Sequence, residues 1–364
     1  MPRKKSTTNS DGVNPVDQIN AYLESNKGDH YNFEEERTYV VSSGSLLLDI
    51  EMGGGIGPGV IRASGITEGG KTSCALAFAK NFQKMDNAMA VYIKSEGRLS
   101  SDMIERAGVS TDPKKWFVYK SNVYESVINL MRELVSNNPT KVKYMFIIDS
   151  MDSLVPKADL EKPPEEANKV AGGALLSSDF LRKMALGMTT RGHICYMISQ
   201  VRSKVSINPY EKTDARVTNA SGGNALLHYS DWILEFQERY KGDTMFNADG
   251  KTPIGHWCKV VFKKTPNEKT GSLVRYPICY GRTGGKSIWV EYEVVDMLLT
   301  WDMAKKAGAW VAVSDEIIEE VQKETGEEMK KQHQGADNLK KYLEENPKIG
   351  KYLFNKFLST LRKS

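Results

Sequence analysis

The sequence predicts an α/β fold built on a mainly parallel sheet with helices on both faces. Two observations predict it. Between about residues 39 and 290 short apolar runs alternate with helical patterns, and strand and helix in alternation imply parallel strands joined by covering helices. One of these strand-to-helix junctions is glycine-rich, with the spacing G-x-x-x-x-G-K-[ST], and such a junction belongs to this class of fold.

The elements follow in order. Residues 1 to about 14 are polar and are expected to lack order. A short helix should follow, with Asn14 as its cap, Pro15 in the first helical position and an apolar stripe of Val16, Ile19 and Leu23. That stripe is too narrow to form a core. It must dock on the rest of its own chain or on a neighbouring subunit. The strand-like runs are Val60 to Ala63, Ala90 to Ile93, Tyr144 to Ile148, Ile194 to Ile198, Trp232 to Phe236 and Lys259 to Phe262. Behind the glycine-rich junction, Ala75, Phe78, Ala79 and Phe82 share one helical face. After about residue 291 the chain turns to helices rich in Lys and Glu, expected to form a small module. The expected division is therefore an arm at 1–38, an α/β core at 39–290 and a small α-rich carboxyl-terminal domain at 291–364.

Composition narrows the function. The chain of 364 residues is 40% hydrophobic and 26% charged, ordinary values for a folded protein. No stretch of about 18 uninterrupted apolar residues exists, so no membrane partner is expected. The basic start Met1 to Ser6 has no apolar stretch after it and does not read as a secretory signal. The four cysteines are scattered, and the five histidines lack metal-ligand spacing; buried thiols in a reducing compartment fit best. A net charge of +4 is compatible with a nucleic-acid partner without requiring one.

The chemistry is concentrated at the glycine-rich junction. Gly65-Ile66-Thr67-Glu68-Gly69-Gly70-Lys71-Thr72 follows a strand and opens a helix, the context of a phosphate-binding loop, with Ser73 completing the expected ATP-binding set. The glycines let backbone N–H groups turn towards phosphates, and the helix adds its positive end. Lys71 is expected to reach the β- and γ-phosphates, and Thr72 to ligate Mg²⁺. The strand Tyr144 to Ile148 ends in Asp149, and an acid closing a buried strand suits a second hold on Mg²⁺. Glu96 follows the strand Ala90 to Ile93, where it could act as general base on the attacking water. Gln200, after Ile194 to Ile198, could sense the γ-phosphate. A second glycine-rich segment, Gly281-Arg282-Thr283-Gly284-Gly285-Lys286-Ser287, is one residue too short and reads as a turn.

A different chemistry follows Gln200. From Ser203 to Ser221 there is no apolar periodicity, only a polar stretch with Lys204, Lys212 and Arg216, closed by Gly222 and Gly223. A long loop of this kind inside a compact domain is usually functional or disordered, and its cations and glycines suit phosphate contacts.

These residues together resemble the RecA family of recombinases. The likeness runs through Ser43 to Ile50, the phosphate loop, Glu96, Asp149-Ser150 and Val155 to Glu161. It continues through Gln200 to Lys204, Gly222-Gly223-Asn224-Ala225-Leu226 and Lys306-Ala307-Gly308-Ala309-Trp310. The last two segments are the most specific. The resemblance implies an ATP-dependent filament on single-stranded DNA that pairs it with homologous double-stranded DNA, with ATP and Mg²⁺ as cofactors. It implies Glu96 as the catalytic glutamate, Gln200 as the link between γ-phosphate and DNA loops, Tyr280 near adenine, and Lys264 reaching ATP across a subunit interface. It places DNA loops at about 161–174 and 201–223, with Lys169, Val170, Arg182, Arg202, Lys204, Val205, Lys212, Arg216, Gly222, Gly223 and Asn224 as DNA-binding residues. Val170 and Val205 stand where the family uses apolar wedges between bases. The chain departs from the family pattern at Phe262, Leu175, His228, Ser100 and Met103, as a divergent, phage-like member would. The expected location is the cytoplasm of a bacterial or phage-infected cell. Two rivals use the same core: a ring helicase, and a DNA-coating protein that binds ATP without turnover. The amino-terminal arm and the Lys306 to Trp310 segment count against the first, and the pairing of Glu96 with Asp149 against the second.

Overall fold

The structure, a computed structural model, describes residues 14–96, 99–160, 172–203, 218–220, 228–247 and 249–363, with 172–177, 201–203, 218–220 and 361–363 described as backbone only. In chain order the elements are α1 (Pro15–Ser25), α2 (Leu46–Glu51), β1 (Gly59–Gly65), α3 (Lys71–Phe82), β2 (Ala88–Lys94), α4 (Ser101–Ala107), β3 (Trp116–Lys120), α5 (Tyr124–Ser136), β4 (Lys143–Asp149), α6 (Lys157–Leu160), α7 (Gly172–Thr190), β5 (Ile194–Ile198), β6 (Val201–Ser203), β7 (Thr218–Ala220), β8 (Trp232–Phe236), β9 (Thr244–Phe246), β10 (Pro253–Lys264) and β11 (Leu273–Cys279). The expected α/β architecture is present. The large sheet runs in the order β11-β10-β8-β1-β5-β4-β2-β3. From β8 to β3 every pairing is parallel, while β10 pairs antiparallel with β8, β9 and β11.

The central strands are apolar throughout because both faces are covered. Ile61 and Ala63 of β1 point to the α3 face, where Ala75, Phe78, Ala79 and Phe82 are each fully buried. Val60 points to the other face, against Val127 and Met131 of α5 and Phe180, Leu181 and Met188 of α7. The strand order reverses beside β1, between β5 and β8. In an open α/β sheet this places the binding crevice at the carboxyl ends of these strands.

The carboxyl-terminal part has a third core, with Leu298, Val311, Val313, Leu339, Leu353 and Phe357 packed around Leu46. Its helices are Val290–Thr300, Asp315–Thr325, Gly335–Glu345 and Pro347–Lys363. It is less purely helical than its Lys and Glu content suggests. Ala304–Ala307, Trp310–Val313 and Gln332–Gln334 form a three-stranded antiparallel sheet. The turn between the first two strands holds Gly308 at φ 58°, and Val311 and Val313 alternate inward on the second strand. Glu293 ties this part to α2: its carboxylate accepts the Ser45 hydroxyl at 2.5 Å and the Leu46 N–H at 2.6 Å. Burial pushes the Glu293 carboxyl up to about 8, against the pull of those two hydrogen bonds.

Helix α1 is capped as expected, the Asn14 side chain accepting the Val16 N–H at 3.1 Å with Pro15 at its start. None of its residues is buried, and Val16, Ile19 and Tyr22 are 58%, 57% and 67% exposed.

Candidate active site

Strand β1 delivers the chain into the glycine-rich loop, and α3 begins at Lys71. Backbone geometry explains two of the glycines. Gly65 has φ 139°, and a Cβ there would sit 2.3 Å from the Phe236 carbonyl oxygen; Gly70 has φ 104° and caps α3 without a side chain. The first N–H groups of a helix have no intrahelical partner, so α3 opens as an anion-binding end. Lys71 is buried, and its ammonium donates to the carbonyl oxygens of Gly65 at 2.8 Å and Ile66 at 2.5 Å. The ammonium therefore already lies over the loop that would cradle phosphates.

Asp149 ends β4, two strands from β1 in the sheet. Its Oδ2 accepts the Thr72 hydroxyl at 2.9 Å and the Tyr92 hydroxyl at 2.5 Å. Burial, and next the Asp149 charge, hold Tyr92 far above the usual phenol range, so it remains a donor. The peptide bond from Asp149 to Ser150 is cis. Thr72 and Asp149 present hydroxyl and carboxylate oxygens side by side, a donor set that fits a hard cation such as Mg²⁺. Among the described residues no three His, Cys, Asp or Glu side chains converge on one point.

Glu96 follows β2, the neighbour of β4, and its backbone N–H donates to the Asp149 carbonyl at 3.2 Å. Its Oε1 accepts the Ser150 hydroxyl and, at 2.7 Å, the Ser153 hydroxyl. It lines an open cleft of about 270 Å³ with Lys94, Lys120 and Asn122. Gln200 follows β5, and its N–H donates to Asp152 Oδ2 at 2.6 Å. The loop, Asp149, Glu96 and Gln200 thus meet along the carboxyl ends of adjacent parallel strands.

A larger groove of about 1280 Å³ opens beside the loop, lined in part by Glu68, Gly70, Ser73, Met103, Arg106 and Tyr280. Tyr280 is 42% exposed there; Arg239 donates to its hydroxyl at 3.3 Å, and His256 lies 5.4 Å away between ring centres. Lys264 lies elsewhere. Strand β10 runs antiparallel to β8, with Lys264 opposite Ile233 and Val260 opposite Phe236, the residue against the phosphate loop. Lys264 is therefore near the amino end of β8, donating to the His228 carbonyl at 2.9 Å, and away from the loop of its own chain. The adjacent Lys263 pairs with Glu235 at 3.3 Å.

Of the expected DNA-binding residues, Arg182 is exposed on α7 and paired with Asp179 at 3.1 Å. Arg202 lies in β6, opposite Asn219 of β7. Lys169, Val170, Lys204, Val205, Lys212, Arg216, Gly222, Gly223 and Asn224 lie outside the described residues, as do residues 1–13. The segment Gly281 to Ser287 is a turn, as its length predicted. The N–H groups of Gly284 and Gly285 donate to the carbonyls of Glu105 and Arg106, at 3.1 and 2.8 Å, capping α4.

Several site residues escaped the motif-based reading: Tyr92, Ser150, Asp152, Ser153 and Arg62. Their signal was polarity in apolar surroundings. Arg62 is a charge inside the apolar run Val60 to Ala63, and three polar residues crowd the segment Ser150 to Ser153 directly after the strand acid.

The fold and site define a class: a phosphate-loop nucleotide-binding protein with an α/β core whose site lies at the sheet's switch point. Comparison with known proteins makes this specific. The family described as the RecA N-terminal domain matches residues 26–277. Protein RecA of Halalkalibacterium halodurans is 29% identical over 318 residues, covering 86% of this chain and 80% of that protein. Protein RecA of Pseudomonas putida is 28% identical over 325 residues, covering 89% and 81%. Protein RecA of Rickettsia bellii is 29% identical over 311 residues, covering 85% and 80%. The chain belongs to the RecA family.

Proposed function

We propose that this chain is an ATP-dependent recombinase that assembles on single-stranded DNA and pairs it with homologous double-stranded DNA. The observation that carries the reading is the convergence of Lys71, the Thr72–Asp149 pair and Glu96 at the carboxyl ends of neighbouring strands. In this reading the loop Gly65 to Ser73 binds the phosphates, Lys71 balances their charge, and Tyr280 borders the base. Thr72 and Asp149 would hold Mg²⁺, which would offset the charge of the phosphates. Glu96, oriented through Oε1 by two hydroxyls, takes the proton from the attacking water. Gln200 links the γ-phosphate to the segment that follows it, and Lys264, being far from its own loop, serves a neighbouring subunit. The basic segment after Gln200 and the exposed arm supply the DNA and self-association surfaces. ATP favours the DNA-bound filament, and hydrolysis releases DNA, which requires different DNA affinities in the two nucleotide states.

The test is phosphate release with and without single-stranded DNA, paired with negative-stain images of the ATP–DNA complex. Open helical filaments and DNA-stimulated turnover are expected. Closed hexamers that unwind duplexes would favour a ring helicase. Lys71→Ala should abolish tight ATP binding and turnover while the protein stays folded; normal turnover in that variant removes the assignment of the phosphate loop.

A further inference from the structure

Arg62 is a buried cation that the phosphate chemistry above does not use. It lies on β1 only three residues before Gly65 and is 2% exposed. In the sheet it pairs with Met197 of β5 and Ile233 of β8, so its side chain shares their face, the one opposite α3. Its Nε donates to the Ser199 hydroxyl at 3.1 Å, and Ser199 is itself 1% exposed. Burial pulls the guanidinium down to about 10, while the charges of Asp152 and then Glu235 pull it back up. Arg62 therefore stays cationic near neutral pH. A buried charge of this kind persists only with compensating charges and hydrogen bonds.

Asp152 is the informative partner. It lies in the single 3-10 turn Met151–Ser153 that follows β4. Its Oδ2 holds the Gln200 N–H at 2.6 Å. The same turn and the residue before it supply Ser153 and Ser150, whose hydroxyls hold Glu96. One short turn thus positions both polar residues assigned to the γ-phosphate. Arg62 attracts that turn and, through Ser199, grips the residue immediately before Gln200. Glu235 completes the balance, since it also pairs with Lys263 at 3.3 Å and accepts from Gln237 at 2.8 Å.

We propose that Arg62 and Asp152 are positioning residues that fix Gln200 and Glu96 relative to the phosphate loop. The inference rests on the proposed function for the roles of Glu96 and Gln200. It adds two residues, Arg62 and Asp152, to which that reading gives no role. Misplacing a reacting group by about 1 Å can cost roughly 10²-fold in rate. Nucleotide affinity rests instead on Gly65 to Thr72, where Lys71 is held by the Gly65 and Ile66 carbonyls.

The test measures kcat and KM for ATP with saturating single-stranded DNA, together with thermal unfolding. Asp152→Ala should lower kcat by about 10-fold or more, with KM changed by less than about 3-fold. Asp152→Asn keeps a hydrogen-bond acceptor for the Gln200 N–H and should recover much of the lost kcat. Arg62→Met should lower kcat in the same way. If both residues act on one turn, Arg62→Met combined with Asp152→Ala should lose much less than the product of the single losses. A folded Asp152→Ala protein with wild-type kcat overturns the proposal, and so does an Asp152→Asn protein that recovers none of the loss. So does a loss carried by KM alone, or single losses that simply multiply. The parent reading fails separately, by the absence of DNA-stimulated turnover in the unaltered protein or its survival in Lys71→Ala.

Discussion

Asp149 and Glu96 are held by different sets of hydroxyls. Asp149 is fixed by the hydroxyls of Thr72 and Tyr92, beside the position a cation would take. Glu96 is fixed by Ser150 and Ser153 and borders an open cleft. Removing the base while keeping the shape separates them. In Glu96→Gln, ATP should still bind, single-turnover hydrolysis should fall by roughly 10²-fold or more, and DNA complexes should last longer. Unchanged single-turnover rates would return Glu96 to an ordinary loop acid. A second residue-scale prediction concerns pH. His193 is fully buried before β5, its Nδ1 accepting the Tyr144 N–H at 3.1 Å. Burial pulls its imidazole down from the usual 6.5 to about 4. Its contribution is therefore complete above pH 6.5 and is lost as pH falls towards 4, because the unfolded chain takes up the proton first. Unfolding free energy should decline across that window by up to about 1.4 kcal/mol per pH unit from this group. His193→Asn keeps an acceptor for Tyr144 and cannot titrate. Urea unfolding between pH 4 and 7 should show a shallower slope in that variant, and an identical slope refutes the assignment.

Two glycine-rich segments with nearly the same letters end up as different elements. Gly65 to Thr72 lies between a central parallel strand and a twelve-residue helix, whereas the N–H groups of Gly284 and Gly285 are already used to cap α4. Spacing and flanking pattern distinguished them in the sequence. The six apolar runs read as strands all lie within strands, and the face of Ala75, Phe78, Ala79 and Phe82 is the buried face of α3. Other elements were illegible for physical reasons. Strand β11 carries Arg275 and Pro277, and such residues are tolerated at a sheet edge but disguise the strand. Strand β3 is the opposite edge, with Phe117 48% exposed, so its apolar pattern does not alternate cleanly. The phosphate loop and its acids could be read because they recur in one segment each. The hydroxyl and charge partners could not, because Tyr92, Ser153 and Arg62 meet their targets only through the sheet order. The segment from Arg202 to Gly223 remains an element known by its chemistry. If Lys204, Lys212 and Arg216 contact phosphates, their combined replacement by Ala should weaken single-stranded DNA binding about equally for all sequences. It should also flatten the salt dependence by roughly 0.7 in slope per lost contact. Fluorescence anisotropy over a salt series with a non-hydrolysable ATP analogue measures both. Retained affinity and slope would move the DNA site elsewhere.

At the scale of the whole molecule, the glycine-rich loop joins β1 to α3 in the large-sheet part of the chain, while α1 leaves Val16, Ile19 and Tyr22 uncovered. If that stripe docks on a second copy, Ile19→Asp should abolish long assemblies in light scattering and electron microscopy. ATP binding to the monomer should persist, since the loop is complete within one chain. Assemblies of normal length in Ile19→Asp would place the contact on another surface. The exposure of α1 has a thermodynamic consequence as well. A helix of eleven residues is marginal in water without a packing partner. Its formation is then driven by docking, and each residue ordered on contact costs roughly 1–2 kcal/mol of backbone entropy. Self-association should carry the signature of coupled folding: helical circular dichroism that rises with protein concentration, and a negative heat-capacity change on association. A contact that spends part of its energy on ordering is weaker than its area suggests, which would keep subunit addition reversible.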